Sequence, residues 1–239
     1  MRTEEQLCTT SAGLEIPLAR EQVTAANDLY WGYLHGWQLC DRVLRALHEH
    51  FPNNSDPECV LPKAATLNQL YATRVFDIAR IAAHVSEVLQ QEPSLPDLPV
   101  VERIAWLAGV GRKDKGMHFR SFASKYCRFF ISADRFPILD SFAGDALTYH
   151  LGQRGRSHYR RKPFSYLTYV ADVNRLRETA GLDCSYVETD RYLWLRGRRE
   201  RLKRDVRAGK RVVVKGEVQR LLEAPGARAA ELLRLAFPE

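Results

Sequence analysis

The chain has 239 residues, of which 45% are hydrophobic and 27% charged, and a formal net charge of +7; this is enough apolar material to bury a core in one large or two small domains. No stretch of eighteen consecutive apolar residues occurs, and Glu4, Glu5 and Glu15 interrupt the amino-terminal region, which argues against a membrane span and an export signal. Five scattered cysteines without a C-x-x-C pair (Cys8, Cys40, Cys59, Cys127, Cys184) support neither a disulfide frame nor a thiolate metal cluster, so the expectation is a soluble protein of the reducing cytoplasm.

Taken in order, the elements are almost all helical. Residues 20–51 repeat apolar side chains near the helical period (Val23, Leu29, Tyr30, Leu34, Trp37, Leu44, Leu47), with Gly32 and Gly36 weakening or breaking the middle. Turn chemistry at 52–62 precedes a helix over 63–91 that ends at Pro93, Pro96 and Pro99. Further helices are predicted at 99–108 and 115–132, from Asp140 onward, and at 163–180, 188–208 and 216–236. Only RVVVK (211–215) reads as a strand. The fold class is therefore all-α.

The positive charge is regional. Between His150 and Arg220 there are nineteen Lys/Arg against eight Asp/Glu, a local balance of +11. It peaks in RGRSHYRRK (154–162) and RGRRERLKRDVRAGKR (196–211), and clustered arginines suit a polyanion such as duplex DNA. A solvated basic surface is the competing reading.

Within the helix over 115–132, Phe119, Phe122, Ala123, Tyr126, Phe129 and Phe130 fill one arc, and Lys125 falls on its edge beside His118, Ser121 and Phe129. A lysine there either snorkels to water or, desolvated and near Arg120 and Arg128, loses its proton early and becomes a nucleophile. Asp140 follows a proline turn and opens the next helix, as an N-cap does. The helix terminus also keeps such a carboxylate ionised, ready to act as a base or to stabilise a cation.

The order of these features resembles the helix-hairpin-helix DNA glycosylase superfamily, most closely its 8-oxoguanine glycosylase branch. LAGVGRK (107–113) is similar to that family's L-P-G-V-G-x-K hairpin, FPILD (136–140) to its V-P-V-D turn, and ETDRYLWLRG (188–197) to a carboxy-terminal segment of small bacterial relatives. The resemblance implies a hairpin on the DNA backbone, a lysine attacking the anomeric carbon of a flipped nucleotide, and an assisting aspartate. Two alignments stay open. Lys113 keeps the hairpin context, whereas Lys125 keeps the helix that leads into the aspartate turn and is the one favoured here. By the same resemblance Lys125 and Asp140 are catalytic. The expected DNA contacts are Gly109, Gly111, Arg112, Lys113, Arg154, Arg156, Arg160, Arg161, Arg198, Arg199 and Arg201.

A base pocket would draw on Trp31, Asn68, Tyr71, Phe119 and Trp194, with Trp37, Trp106 and Gln69 also available. Residues 1–98 would contribute to that pocket, 99–150 would hold the hairpin and catalytic turn, and 151–239 would form the basic helical part. The implied activity is base excision from double-stranded DNA by a monomer, either in repair or against modified phage DNA, with lyase activity through Lys125. The alternative is a helical DNA-binding protein without catalysis. No cofactor or iron–sulfur centre is implied. His48 and His50 are two apart and face away from each other on a helix, which does not make a metal site, and GVGR lacks the strand before it and the Lys-Ser/Thr after it that a phosphate loop needs.

Overall fold

A computed structural model describes residues 14–92, 95–108, 116–152, 165–209 and 216–238. The protein is all-α, with eleven helices and one short strand pair among the described residues. The expected strand at 211–215 lies outside them, as do Gly109, Gly111, Arg112, Lys113, Arg154, Arg156, Arg160 and Arg161.

The first predicted helix is two, α1 (Arg20–Tyr33) and α2 (His35–His50), broken at Leu34. The break leaves orphan backbone groups, and side chains satisfy them. Gln38 Nε2 donates to the Tyr30 and Trp31 carbonyls, at 2.8 and 2.9 Å. Glu217 accepts from the Gly36 N–H at 3.2 Å. The second predicted helix is also two, α3 (Pro57–Tyr71) and α4 (Ile78–Gln90). Asp56 caps α3, with Pro57 in its first turn, so the helix begins inside the stretch expected to be a turn.

Then come α5 (Val100–Ala105), β1 (Trp106–Leu107), β2 (Met117–His118) and α6 (Arg120–Phe130). The two strands pair antiparallel and flank the hairpin motif. The chain continues through α7 (Ser141–Leu151), α8 (Tyr166–Thr179) and α9 (Tyr186–Arg207). It ends with α10 (Glu217–Glu223) and α11 (Ala227–Ala236), which split the last predicted helix around Pro225 and Gly226.

One hydrophobic core runs from Leu18 to Phe237. In it α1 packs on α9 and α11, α3 on α4, α5 on α6, and α7 on α9. The segment between α6 and α7 is held by four groups. Tyr166 and Tyr169 donate their hydroxyls to the Pro137 and Ile138 carbonyls, at 2.8 and 2.7 Å. The Ile138 N–H donates to Asp190 Oδ2 at 2.9 Å, and the Leu139 N–H to Ser124 Oγ at 3.1 Å. An extended segment with its backbone paired in this way fixes the direction in which Asp140 enters α7.

The crossing of α7 and α9 depends on Gly197. A Cβ there would lie 2.1 Å from the Phe142 carbonyl oxygen, in the first turn of α7. Gly197→Ala is therefore expected to push α7 off α9 and lower the melting temperature by about 5 °C or more, the scale of an overpacked core. Thermal unfolding followed by circular dichroism measures this, and an unchanged midpoint sinks the close-packing argument.

Candidate active site

Helices α1, α2, α3, α6, α7 and α9 border an open cleft lined by Trp37, Asp41, Tyr71, Lys125, Phe129, Asp140, Asp190, Arg191 and Trp194 among others. Lys125 is only 3% exposed, so it is buried rather than half wet. Its Nζ donates to Ser121 Oγ at 2.8 Å, one helical turn back, and lies 3.7 Å from Asp140 Oδ2 and 6.0 Å from the Tyr71 ring centre. Burial lowers the Lys125 pKa below the ordinary lysine value; Asp140 and Asp190 pull it back up, and the repelling cation is Arg198. Of the expected neighbours, Arg120 pairs with Glu102 at 2.8 Å and Arg128 lines the same cleft as Lys125.

Asp140 divides its carboxylate between two tasks. Oδ1 accepts from the Phe142 and Ala143 N–H groups, both at 2.9 Å, which caps α7. Oδ2 faces Lys125. The N-cap and the lysine partner are thus one residue.

Asp190 lies deeper. Its Oδ2 accepts from Ile138, while its buried Oδ1 finds no hydrogen-bond partner among the described residues. Burial pushes its carboxyl up to about 7, despite the Ile138 N–H and Arg128. Between the ordinary aspartate value near 4 and about 7 the folded state holds a proton that the unfolded state has released, so stability falls as pH rises through that window. Asp190→Asn removes this titration. The melting temperature of the variant relative to wild type is expected to be higher at pH 7.5 than at pH 4.5, and a difference independent of pH sinks the assignment.

The aromatic side chains of the cleft adjoin its third carboxylate, Asp41. Trp37 meets Trp194 and Tyr71 edge-on, with centroids 4.8 and 5.5 Å apart. Asp41 accepts from the Tyr71 and Tyr30 hydroxyls at 2.8 and 2.7 Å, and Arg191 stands 3.8 Å away.

Of the residues expected in a base pocket, Tyr71 and Trp194 line the cleft and three do not. Trp31 is 54% exposed beneath the Arg191 guanidinium, 4.6 Å from it. Asn68 fastens the turn after α3: it accepts from the Val75 N–H at 3.0 Å and the Thr73 hydroxyl at 2.8 Å, and donates to the Val75 carbonyl at 3.0 Å. Phe119 precedes α6 and packs against the core.

The three expected arginines of α9 are engaged within the fold. Arg198 lies over Phe142 (4.2 Å) and Trp194 (5.4 Å), Arg199 is 3.9 Å from Glu200, and Arg201 pairs with Asp145 at 3.3 Å. They brace α9 against neighbouring side chains, so alanine replacements there would disturb the fold as well as any phosphate contact. Asp41, Tyr30, Asp190 and Arg191 were not expected at the site. Each reads in sequence as an ordinary residue of an amphipathic helix.

Among the described residues no helix is long and apolar enough to cross a membrane, and no group of His, Cys, Asp and Glu is placed to hold a metal ion. Residues 20–135 match a family model named HI_0787_N and described as an N-terminal domain. This match spans α1 to α6 and so includes Asp41, Tyr71 and Lys125, but not Asp140 or Asp190. No curated protein and no solved structure matches the chain.

Proposed function

We propose that the protein is a DNA glycosylase that takes a modified base out of duplex DNA and cleaves its N-glycosidic bond, using Lys125 as nucleophile and Asp140 as the assisting carboxylate. One observation carries this reading: a buried lysine with a lowered pKa lies 3.7 Å from a helix-capping aspartate in an aromatic cleft. The aromatic lining suits a base, which an enzyme acting on it must receive out of the stack. Ion pairs on a surface are common and inform little, but a desolvated amine facing a fixed carboxylate is the arrangement that nucleophilic catalysis needs.

The chemistry runs from these atoms. Neutral Lys125 Nζ attacks C1′; the C1′–N bond breaks, and its electron pair leaves with the base nitrogen, which takes a proton from water. Asp140 stabilises the positive charge that builds on the sugar. The alkylammonium gives a proton to the hydroxide left by that water; the nitrogen lone pair then forms the C1′=N bond as the C1′–O4′ bond breaks, and O4′ takes its electron pair and a proton from water, leaving a protonated Schiff base and a 4′-hydroxyl. Trp37, Trp194 and Tyr71 supply faces on which a flipped base would stack.

The reading extends to double-stranded DNA as partner, a monomer, a cytoplasmic setting, and a role in repair or against modified phage DNA. The test is incubation with duplexes that each carry a different modified base, followed by hot alkali to cut at abasic sites. Cleavage at one class of base, lost in Lys125→Ala, is the expected result. Tight DNA binding with no abasic site on any substrate would favour the non-catalytic alternative.

A further inference from the structure

Two buried polar atoms of the cleft lining have no hydrogen-bond partner among the described residues, and they are of opposite kinds. One is Asp190 Oδ1 and the other is Arg128 Nε. A guanidinium carries five N–H donors and no acceptor, so a partly buried one with an unpaired N–H is costly until something that enters the cleft accepts from it.

Arg128 differs in this from the other arginines around the site. Arg191, which also lines the cleft, donates to Asn27 Oδ1 at 3.3 Å, stands 3.8 Å from Asp41 and lies over the Tyr30 and Trp31 rings. Arg201 pairs with Asp145, and Arg120 with Glu102. Arg128 is half-buried and lies over Phe129, 5.5 Å from the ring centre, with its Nε shielded from water.

Its place on α6 decides which part of a nucleotide it meets. Arg128 follows Lys125 by three residues, so it sits on the same helical face about 4.5 Å further along the axis. In the proposed reaction Lys125 reaches C1′, and a base projects from C1′ away from the phosphates. The charge of Arg128 is felt by Asp190, which is buried deeper in the cleft, and Phe129 beneath the guanidinium belongs to the aromatic lining. A cation so placed faces the edge of a base and not the backbone.

We infer that Arg128 selects the base: its guanidinium donates to two adjacent acceptor atoms on one edge of the base that enters the cleft. This rests on the proposed action on a base turned out of duplex DNA. The planar fork of an arginine matches two acceptors side by side. The O6/N7 edge of a 6-oxopurine and the O2/N3 edge of a cytosine ring both offer such a pair. A purine oxidised at C8 carries a hydrogen on N7, so donor would meet donor and a charged N–H would stay unpaired. The selection therefore runs against 8-oxoguanine, the base after which the resembled branch is named.

Binding to uncleavable duplexes separates this selection from chemistry. Each probe carries one 2′-fluoroarabino nucleotide, whose glycosidic bond resists cleavage, bearing hypoxanthine, 7-deazahypoxanthine, 8-oxoguanine or cytosine opposite a non-pairing difluorotoluene residue. By anisotropy, hypoxanthine or cytosine is expected to bind at least tenfold more tightly than both 7-deazahypoxanthine and 8-oxoguanine, the scale of one bidentate contact. Whichever of the two leads identifies the edge that Arg128 reads. The advantage should shrink to less than threefold in Arg128→Met and also in Arg128→Lys, which keeps the charge and the melting temperature but not the fork. Equal affinities for all four bases, 8-oxoguanine or 7-deazahypoxanthine as tight as the leader, or a ranking that survives in Arg128→Lys would overturn the inference. Excision of the cleavable counterparts judges the glycosylase reading separately. Base release without the ranking defeats the role of Arg128 alone, whereas the ranking without base release defeats the glycosylase reading and leaves the selection by Arg128 standing.

Discussion

Asp140→Asn is expected to give a folded protein that binds duplex DNA and releases base roughly a hundredfold more slowly, or worse, as loss of a charge stabiliser does. The division of labour within the carboxylate makes the case. Asparagine retains an acceptor for the Phe142 and Ala143 N–H groups, so the cap that Oδ1 provides is kept. Even complete loss of a cap is worth only about 0.5–2 kcal/mol, a few degrees of melting temperature for a chain of this size. What disappears is the negative Oδ2 facing Lys125. Because Asp140 raises the Lys125 pKa, its removal lets the amine shed its proton more easily. If deprotonation of the lysine limited the rate, Asp140→Asn would then be as fast as wild type or faster at neutral pH. A slow variant with undiminished DNA affinity therefore assigns the carboxylate to the charge that develops on the sugar. Single-turnover excision, anisotropy binding and thermal melting together measure this. Unfolding of the variant would reduce Asp140 to a structural cap, and normal excision would remove it from the mechanism.

How legible the site was in sequence follows from how local each of its parts is. Lys125 and Asp140 are joined by one helix and one proline turn, so their order along the chain is visible and the structure brings them to 3.7 Å. Asp190 and Asp41 arrive from α9 and α2, and what makes them unusual is the company they keep across the core: Ile138 for one, Tyr30 and Tyr71 for the other. Nothing in ETDRYLW or CDRVL announces that. The all-α class was visible because apolar periodicity is also local.

The breaks were harder to see. Leu34 ends α1 although leucine favours helices, and the Gln38 and Glu217 side chains complete the hydrogen bonding there. Trp31 lies on the surface and Trp37 in the cleft, a separation that their six-residue spacing, about 120° on a continuous helix, already contains. The arginines of α9 show the same limit. Their density reads as a polyanion surface, but Phe142, Trp194 and Asp145 engage Arg198 and Arg201, and aromatic faces that absorb guanidinium groups are not apparent from charge counts.

Lys125→Ala is expected to abolish covalent trapping altogether. If the amine forms a Schiff base with the opened sugar, borohydride reduces that bond and leaves protein joined to DNA, and among the described residues that line the cleft Lys125 is the one lysine. Lys113→Ala should trap normally; the opposite pattern would transfer the role to Lys113. Lys125→Arg separates charge from nucleophilicity, because a guanidinium keeps the positive charge opposite Asp140 but does not lose its proton. It should bind and melt close to wild type yet fail to trap.

The pH dependence gives a further handle with a definite sign. Neutral Nζ is the reactive form, so trapping rises with pH, and burial places the inflection below the ordinary lysine value of about 10.4. Asp140→Asn should move that inflection lower still while the plateau falls, since the carboxylate both holds the proton on Lys125 and stabilises the sugar cation. An inflection at the ordinary lysine value would mean that the reacting amine is exposed and is not Lys125. Base release with no cross-link at any pH would assign the attack to water, and Lys125 would then act only as the cation that holds Asp140 in place.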